Sequence, residues 1–235
     1  REWLFTKAKV IPKRKFTNDL QLVKKVIKAT KQNNYSMTIY PEARFSLAGI
    51  NEDIGTALGK LAKKCGVPVV VMIQKGNFIR SPQWNKHPYR KVRNYVDIYE
   101  VVTKEEALTL SAEEIQRRIE EKFNYDEYKW QSENKVAIKS KHRAHNLHQI
   151  LYKCPHCNQE GHMYSNKTKL WCEKCNTSWE MNEFGELIQQ NNGESRFKLV
   201  TDWYRWEREE VNKEVENGTY FFEDEVRLEK LINCQ

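Results

Sequence analysis

The spacing of apolar positions in the first half of the chain predicts strands that alternate with helices. Short apolar runs at 36–40 and 67–73 have the length and composition of buried strands, and 91–102 alternates as a further strand does. Apolar residues at helical spacing predict helices over 18–32 and 55–64. Because strand and helix alternate, we expect an α/β fold with a mainly parallel sheet and flanking helices.

The second half is predicted to hold a helix, a polar stretch and a small cysteine-bearing unit. A Ser-x-x-Glu capping box at 111–114 starts the helix. We expect the α/β domain to occupy residues 1–130 and a polar, basic linker to occupy 131–152. The cysteine-bearing unit is then expected at 153–181, followed by a C-terminal tail of helix and strand at 182–235.

Two Cys-x-x-Cys pairs form the most specific motif in the chain: Cys154 with Cys157, and Cys172 with Cys175. Two such turns bring four thiolates together tetrahedrally on Zn²⁺, and the residues between the pairs predict the hairpin of a zinc ribbon. We expect a structural zinc rather than two disulfides, because nothing else in the chain indicates an oxidising compartment. Four thiolates leave no coordination position for water, so the zinc is not expected to be catalytic.

Other metal-binding side chains form weaker patterns. His142, His145 and His148 lie three residues apart and would share one face of a helix. No carboxylate accompanies them, and solvated histidines near a linker are the commoner explanation. The two remaining cysteines, Cys65 and Cys234, are far apart in the sequence and are expected to be unligated thiols.

Charge is distributed unevenly along the chain. The 235 residues carry a net charge of +8, and residues 1–100 hold twenty Lys and Arg against seven Asp and Glu. The remainder, 101–235, is acidic overall. A basic first half suits an anionic partner such as a phosphorylated substrate, the phosphates of CoA, an anionic membrane surface or a nucleic acid.

The sequence has no segment that predicts insertion into a membrane or export. No apolar run reaches the roughly eighteen residues of a membrane-spanning helix, and no signal peptide opens the sequence. The sequence begins with Arg1 rather than Met, so we expect it to be a piece of a longer polypeptide.

One turn concentrates polar side chains at the end of a predicted strand. Pro41 ends the strand at 36–40, because proline has no N–H to donate to a sheet. Glu42, Arg44 and Ser46 follow directly. Ligands of open α/β sheets bind at the carboxyl ends of strands, so these three residues are candidate ligand-binding residues.

The motif blocks of this region resemble those of the glycerolipid acyltransferases. Pro-Glu-Ala-Arg-Phe-Ser at 41–46, followed by a helix and Val-Pro-Val-Val at 67–70, is similar to the Pro-Glu-Gly-Thr-Arg-Ser and Val-Pro-Val-Val blocks of that family. The resemblance is greatest to a bacterial branch with Tyr-Pro-Glu-Ala-Arg in the first block and a zinc ribbon behind the acyltransferase domain, and it covers nearly the whole chain. In a strict alignment Arg44 stands one position before the arginine of the family.

The resemblance implies an enzyme of phospholipid synthesis that transfers a fatty acyl group from acyl-CoA or acyl carrier protein to 1-acylglycerol-3-phosphate, forming phosphatidate. It implies that Glu42, Arg44 and Ser46 bind the acceptor phosphate, with Lys13 or Arg14 nearby. The expected partners are a lysophospholipid or glycerol-phosphate substrate, the acyl thioester and an anionic membrane surface. The expected location is cytoplasmic and peripheral on the inner face of the membrane.

The family's catalytic base has no counterpart in the chain. That base is the histidine of a His-x-x-x-x-Asp motif, and none of the six histidines here has an aspartate at that spacing. The motif precedes the 41–46 block in the family, so we expect it upstream of Arg1 and assign no catalytic residue within the sequence.

Two alternatives stay open. A zinc-ribbon module could bind nucleic acid, with the basic half contacting phosphates. The ribbon lies in the acidic part of the chain, however, so no nucleic-acid partner is expected. The other alternative is an inactive relative that binds phospholipid without turnover, and the missing base is consistent with it.

Overall fold

The computed structural model describes residues 19–42, 44–87, 90–190 and 193–223, together with residues 3, 7, 9–11 and 225. The α-helices in these ranges are α1 (Leu20–Ile27), α2 (Ala57–Cys65), α3 (Asn77–Arg80), α4 (Lys104–Thr109), α5 (Ala112–Phe123), α6 (Glu127–Glu133) and α7 (Val200–Glu216). The strands are β1 (Val69–Lys75), β2 (Tyr95–Val102), β3 (Met163–Asn166), β4 (Lys169–Cys172), β5 (Ser178–Met181) and β6 (Leu187–Gln189). A π-helical turn at Lys28–Gln32 continues α1, and a 3-10 turn lies at Leu147–Gln149.

Strands β1 and β2 form a two-stranded antiparallel sheet that packs against helices. Val71 lies opposite Tyr99, and Ile73 opposite Asp97. Helices α2 and α5 pack on the face that carries Val71 and Ile73. The apolar residues of each helix recur at helical spacing and therefore lie on the side that faces the sheet. The buried cluster between sheet and helices consists of Ile54, Val71, Ile73, Val101, Val102, Ala107, Ile115 and Ile119.

The approach of α2 to α5 depends on a glycine. The N–H of Gly59 donates to Oε1 of Gln116 at 2.7 Å. A Cβ at position 59 would lie 2.3 Å from the carbonyl oxygen of Ala112 and 2.7 Å from Cβ of Gln116. The two helices can therefore be this close only where α2 has no side chain.

The predicted parallel sheet is wrong. Within the described residues there are two sheets, one of two strands and one of four, and every pairing in them is antiparallel. Residues 36–40, predicted as a buried strand, join no sheet and are mostly exposed, and Tyr40 is 80% exposed. The physical reason is that a short apolar run does not specify which segment covers it or pairs with it, and β1 pairs with β2 instead.

A second core surrounds the four-stranded sheet, whose strand order is β3-β4-β5-β6. Helix α7 packs across it, and the rings of Trp179 on β5 and Trp203 on α7 meet edge to face at 4.9 Å. Residues 131–152, the predicted linker, contribute to this core with buried side chains. These are Ile138, Ala144, Leu147, Ile150 and Leu151.

The helix predicted within the C-terminal tail is α7, which runs from Val200 to Glu216. Gly218, at φ +67°, follows the end of α7, as a residue in the left-handed region commonly does. Residues 219–222, predicted as a strand, are exposed and form no strand.

Candidate metal centre and neighbouring motif loop

Two similar turns present the four cysteines. Each Cys-x-x-Cys is followed by an asparagine, and Asn158 and Asn176 have φ values of +57° and +56°. Asparagine tolerates this left-handed region better than most residues do. In each turn the N–H of the first cysteine donates to the carbonyl of the residue after the asparagine, from Cys154 to Gln159 at 2.9 Å and from Cys172 to Thr177 at 2.9 Å. The repeated Cys-x-x-Cys-Asn sequence thus builds the same kind of turn twice.

The four sulfur atoms converge. They all lie within 4.8 Å of one another. The Sγ atoms of Cys154 and Cys175 are 3.6 Å apart, and those of Cys157 and Cys172 are 3.8 Å apart. These distances exceed the roughly 2.05 Å of a disulfide bond, and all four residues are free cysteines. The prediction that the two pairs share one potential metal site is confirmed.

The separations fit a single tetrahedral zinc ion. A tetrahedron with Zn–S bonds of about 2.3 Å has sulfur–sulfur edges of about 3.8 Å. The two short Sγ–Sγ distances, 3.6 and 3.8 Å, are close to that edge length. Four thiolates are also the donor set of closed structural zinc sites.

The surroundings of the thiols affect how easily each ionises. Burial raises the pKa values of Cys154 and Cys172, although backbone N–H groups of the two turns point toward their sulfurs. Burial also opposes ionisation of Cys175, but hydrogen bonds with the hydroxyl and backbone of Thr177 and with the thiols of Cys154 and Cys172 together lower the pKa of Cys175 to about 6. One thiol is thus readily ionised, and a bound cation would favour the thiolate form of the others.

Two side chains of helix α7 are hydrogen-bonded to Lys153, the residue that precedes the first cysteine. The N–H of Lys153 donates to Oε1 of Glu207 at 2.8 Å, and the carbonyl of Lys153 accepts from Nε1 of Trp203 at 2.9 Å. Both α7 side chains are fully buried. Burial raises the pKa of Glu207 to about 9, so this carboxyl is protonated at neutral pH. The position of α7 is therefore tied to the first cysteine turn.

The loop that carries Glu42, Arg44 and Ser46 is called the motif loop below. Two of these predicted ligand-binding residues stabilise it. The Ser46 hydroxyl donates to the carbonyl of Ile50 at 2.8 Å and accepts from the N–H of Gly49 at 2.9 Å. Oε1 of Glu42 accepts from the side-chain amide of Asn51 at 2.7 Å. These contacts close the turn between 42 and 51, so both side chains have a structural partner within the loop itself.

Arg44 projects from this loop. Its Nη2 lies 2.7 Å from Oε2 of Glu52, and 56% of its side chain is exposed. Its guanidinium is therefore within reach of a ligand. The two other predicted substrate-binding residues, Lys13 and Arg14, lie outside the residues that the structure describes.

Exposed apolar side chains lie close to Arg44 in the sequence. Tyr40 and Phe45 are 80% and 77% exposed, and Leu47 and Ile39 are also accessible. Single exposed apolar residues are ordinary, but a group of them beside one cation marks a surface suited to an amphipathic ligand.

Glu52 joins the motif loop to helix α7. Its Oε2 accepts from Nη1 of Arg208 at 2.6 Å, and Nη2 of Arg44 forms an ion pair with the same oxygen at 2.7 Å. The Glu52 side chain is 5% exposed, whereas that of Arg208 is 47% exposed. An open cleft of about 240 Å³ adjoins this bridge, with the loop on one side and α7 on the other. Sequence reasoning missed Glu52 and Arg208, because 156 residues separate them and no local pattern connects them.

Three histidine rings meet elsewhere, but not the three that the sequence grouped. His87 stacks on His142 with ring centroids 3.8 Å apart and meets His145 edge to face at 4.6 Å. His148 lies apart, with Nδ1 2.8 Å from the hydroxyl of Ser165. Among the described residues, the four cysteines are the only group whose ligand atoms converge as a metal site requires.

Comparison with family models, with curated proteins and with solved structures gives no match for this chain. Function is therefore inferred from the site itself.

Among the helices in the described ranges, none combines the length and the apolar character that crossing a bilayer requires.

Proposed function

We propose that the chain is the acceptor-binding part of an acyltransferase whose acceptor is a lipid of the glycerol-phosphate type. The enzyme would transfer a fatty acyl group from acyl-CoA or acyl carrier protein to 1-acylglycerol-3-phosphate, forming phosphatidate. The motif blocks at 41–46 and 67–70 support the reaction class. The proposal does not depend on a parallel sheet, and the described residues form none.

The observation that carries the proposal is the placement of Arg44. Its side chain is more than half exposed, and Tyr40 and Phe45, which are close to it in the sequence, are themselves exposed. A lysophospholipid carries an anionic phosphate next to an apolar chain, and this loop offers a cation next to apolar side chains. Arginine binds phosphate oxygens through two parallel N–H groups, which favours it over other cations at such a site.

The reaction replaces the thioester bond of the acyl donor with an oxygen-ester bond to the acceptor. The free hydroxyl oxygen of the acceptor attacks the thioester carbonyl carbon, so that a C–O bond forms and the C–S bond breaks. The hydroxyl proton passes to a general base, and the thiolate leaves and is protonated to the free thiol. In this chain Arg44 would hold the acceptor through its phosphate, and Glu42 and Ser46 would fix the shape of the loop that carries it. The base would come from a residue outside positions 1–235, since no histidine here has the family's aspartate.

The four cysteines Cys154, Cys157, Cys172 and Cys175 would hold a structural Zn²⁺. The sulfur separations and the four-thiolate donor set support this assignment. The ion would cross-link the two cysteine turns. It would take no part in the reaction, because thiolates would occupy all four of its coordination positions. The backbone of Lys153, next to the first of these turns, is hydrogen-bonded to two side chains of α7.

The proposed substrate also determines where the protein would work. An acceptor that resides in a membrane requires the enzyme to lie peripherally on it, and we propose the cytoplasmic face. The excess of Lys and Arg in residues 1–100 supports attraction to an anionic surface.

Binding of the acceptor tests the proposal. The protein is titrated with 1-acylglycerol-3-phosphate in mixed micelles of a non-ionic detergent, with monoacylglycerol as the ligand control, and binding is followed by calorimetry. Arg44→Gln is expected to weaken binding of the phosphorylated lipid by about tenfold or more, the loss typical of a charge-assisted hydrogen bond. Arg117→Gln is the matched control, because Arg117 is a half-exposed arginine paired with Glu114 on helix α5. Equal binding of the two lipids, or unchanged binding by Arg44→Gln, would contradict the proposal.

A further inference from the structure

We propose that a cationic patch, formed where three segments of the chain meet, is the surface through which the protein lies on an anionic lipid bilayer. This inference takes the lipid surface as partner from the proposed function, on which it rests, and adds to it a surface that no motif indicates. The patch consists of three exposed lysines and three histidines: Lys86, His87, Lys141, His142, His145 and Lys167.

Hydrogen bonds hold the three segments side by side. The side-chain amide of Asn85, in the loop after α3, donates to the carbonyl of His142 at 2.7 Å. The N–H of Ala144 donates to the carbonyl of Lys167, in the turn between β3 and β4, at 2.8 Å. The segment 140–146 therefore lies between the loop after α3 and the β3–β4 hairpin.

The histidine rings join the same segments. His87 stacks on His142 and meets the ring of His145, and Nδ1 of His145 lies 3.2 Å from Oδ1 of Asn166. Burial and the neighbouring His142, His145 and Arg90 lower the pKa of His87, so this ring is neutral at pH 7. His87 thus adds no charge near neutral pH, and the lysines supply it.

None of the three segments contains an acidic residue. Aspartate and glutamate are absent from the whole of 54–96, 134–159 and 161–172. The charge summed along the chain hides this feature, because residues 101–235 are acidic overall. The fold brings acid-free parts of both halves together, so a positive surface forms that includes part of the cysteine-bearing hairpin.

The three lysines of the patch keep their charge available to a partner. Lys86, Lys141 and Lys167 are exposed, and none of them forms a salt bridge with a described residue. Lys169 differs, since it lies opposite Glu180 on β5, and it is not counted in the patch. Clustered cations without nearby carboxylates attract an anionic surface.

A bilayer fits the patch better than a nucleic acid does. Each lysine near an anionic bilayer strengthens binding about fivefold, and it needs only to lie near the lipid phosphates. Single-stranded nucleic acid would require free aromatic faces on which its bases stack. The rings of His87 and His142 cover each other's faces, because they are stacked with an interplanar angle of 15°. Tyr164 on β3 is 40% exposed, and tyrosine rings are enriched at the headgroup level of membranes.

Contacts through α3 connect the patch to the motif loop. A Cβ at Gly49 of the loop would lie 2.7 Å from the ring of Phe78 on α3. The next residue, Ile79, accepts at its carbonyl from Nη1 of Arg90 at 3.2 Å, and Nη2 of Arg90 donates to the carbonyl of Arg143 at 3.1 Å. Docking through the patch would therefore bring the motif loop to the membrane in which the proposed acceptor resides.

Co-sedimentation of the full chain with lipid vesicles tests the inference. The vesicles contain phosphatidylcholine alone or phosphatidylcholine with phosphatidylglycerol, and binding is measured at low and at high NaCl. The wild-type protein is expected to bind only the vesicles with phosphatidylglycerol, and less at high NaCl because salt screens surface charge. Lys141→Gln combined with Lys167→Gln is expected to weaken this binding about twentyfold.

Lys60→Gln combined with Lys104→Gln is the matched control. These exposed lysines of α2 and α4 also form no salt bridge with a described residue, so the control loses the same net charge. It is expected to change vesicle binding by less than about twofold, because charges far from the bilayer are screened. Equal losses in the two double variants would show that only net charge matters and would overturn the inference. Tighter binding of the wild type to a single-stranded oligonucleotide than to the anionic vesicles, lost in the patch variant, would also overturn it.

The outcomes separate this inference from the proposed function. Binding of 1-acylglycerol-3-phosphate in non-ionic micelles requires no anionic bilayer, so the patch variant should bind this lipid as the wild type does. If the wild type binds the acceptor but not the anionic vesicles, the patch has no such role and the proposed function stands. If it binds the vesicles through the patch but not the acceptor, the proposed function fails and the patch remains a bilayer-binding surface.

Discussion

Oε1 of Glu207 lies 2.8 Å from the backbone nitrogen of Lys153, and this hydrogen bond joins helix α7 to the residue before Cys154. The other carboxyl oxygen, Oε2, is buried without a hydrogen-bond partner among the described residues. A buried carboxyl in such a place is held in its neutral form, because its charge would have no solvent and no cation to stabilise it. The free-energy cost of burying this side chain thus depends on its protonation state.

The contribution of Glu207 to the free energy of unfolding should fall as pH rises. Burial raises the pKa of Glu207 from 4.5 to about 9 in the folded protein, so the folded state binds this proton more tightly than the unfolded chain. The stabilisation is fully present below about pH 4.5 and is lost as pH rises toward 9. Glu207→Gln should match the wild-type free energy of unfolding at pH 5 and exceed it at pH 8 by on the order of 2 kcal/mol or more.

Urea unfolding at several pH values, followed by tryptophan fluorescence, measures this difference. Glu216→Gln at the exposed end of the same helix is the control and should leave the pH profile unchanged. A Glu207→Gln profile parallel to that of the wild type would show that this carboxyl is not protonated in the folded protein.

Removal of the metal should unfold the region around the cysteine turns. We expect one zinc ion per chain in the purified protein, measured by plasma mass spectrometry, and its loss in Cys157→Ser or Cys172→Ser. Because structural zinc contributes its binding free energy to folding, chelation should lower the Tm by at least about 10 °C. Cys65→Ala, which alters a buried thiol in α2 away from the site, should retain the zinc. A metal-free protein with the wild-type Tm would contradict the assignment.

Gly59→Ala should destabilise the packing of α2 on α5. The new Cβ would lie 2.3 Å from the carbonyl oxygen of Ala112, which belongs to the backbone and cannot rotate away. Overpacking of this kind typically costs about 1–3 kcal/mol, which urea unfolding measures. Gly55→Ala is the control, since a Cβ there meets nothing within 4 Å. Equal stability of the two variants would show that the helices can separate without cost.

The sequence predicted best what short-range geometry determines. Each Cys-x-x-Cys pair is a local turn, so the convergence of four thiols follows from two turns and one hairpin. The capping box was predicted in the same way, and the N–H of Glu114 does donate to the Ser111 hydroxyl. A second capping box, in which Thr103 and Glu106 cap α4, has the same local signal and was overlooked.

The sequence could not predict which strands pair or which distant side chains meet. The apolar run at 67–73 indicated a buried strand but not that its partner would be the antiparallel β2. The Arg208–Glu52 contact joins residues 156 positions apart, and the placement of α7 decides it. Arg44 was singled out from its motif, but its partnership with Arg208 around one carboxylate needed three-dimensional structure.

Acyl transfer itself tests the central claim most directly. The protein, isolated from its source at its native length, is incubated with 1-acylglycerol-3-phosphate and with acyl-CoA or acyl carrier protein labelled in the acyl chain. Our account predicts labelled phosphatidate and free thiol in equal amounts, with both reduced in Arg44→Gln and unchanged in Arg117→Gln. Binding of the acceptor without release of thiol from either donor would contradict the account and identify a phospholipid-binding protein without transferase activity.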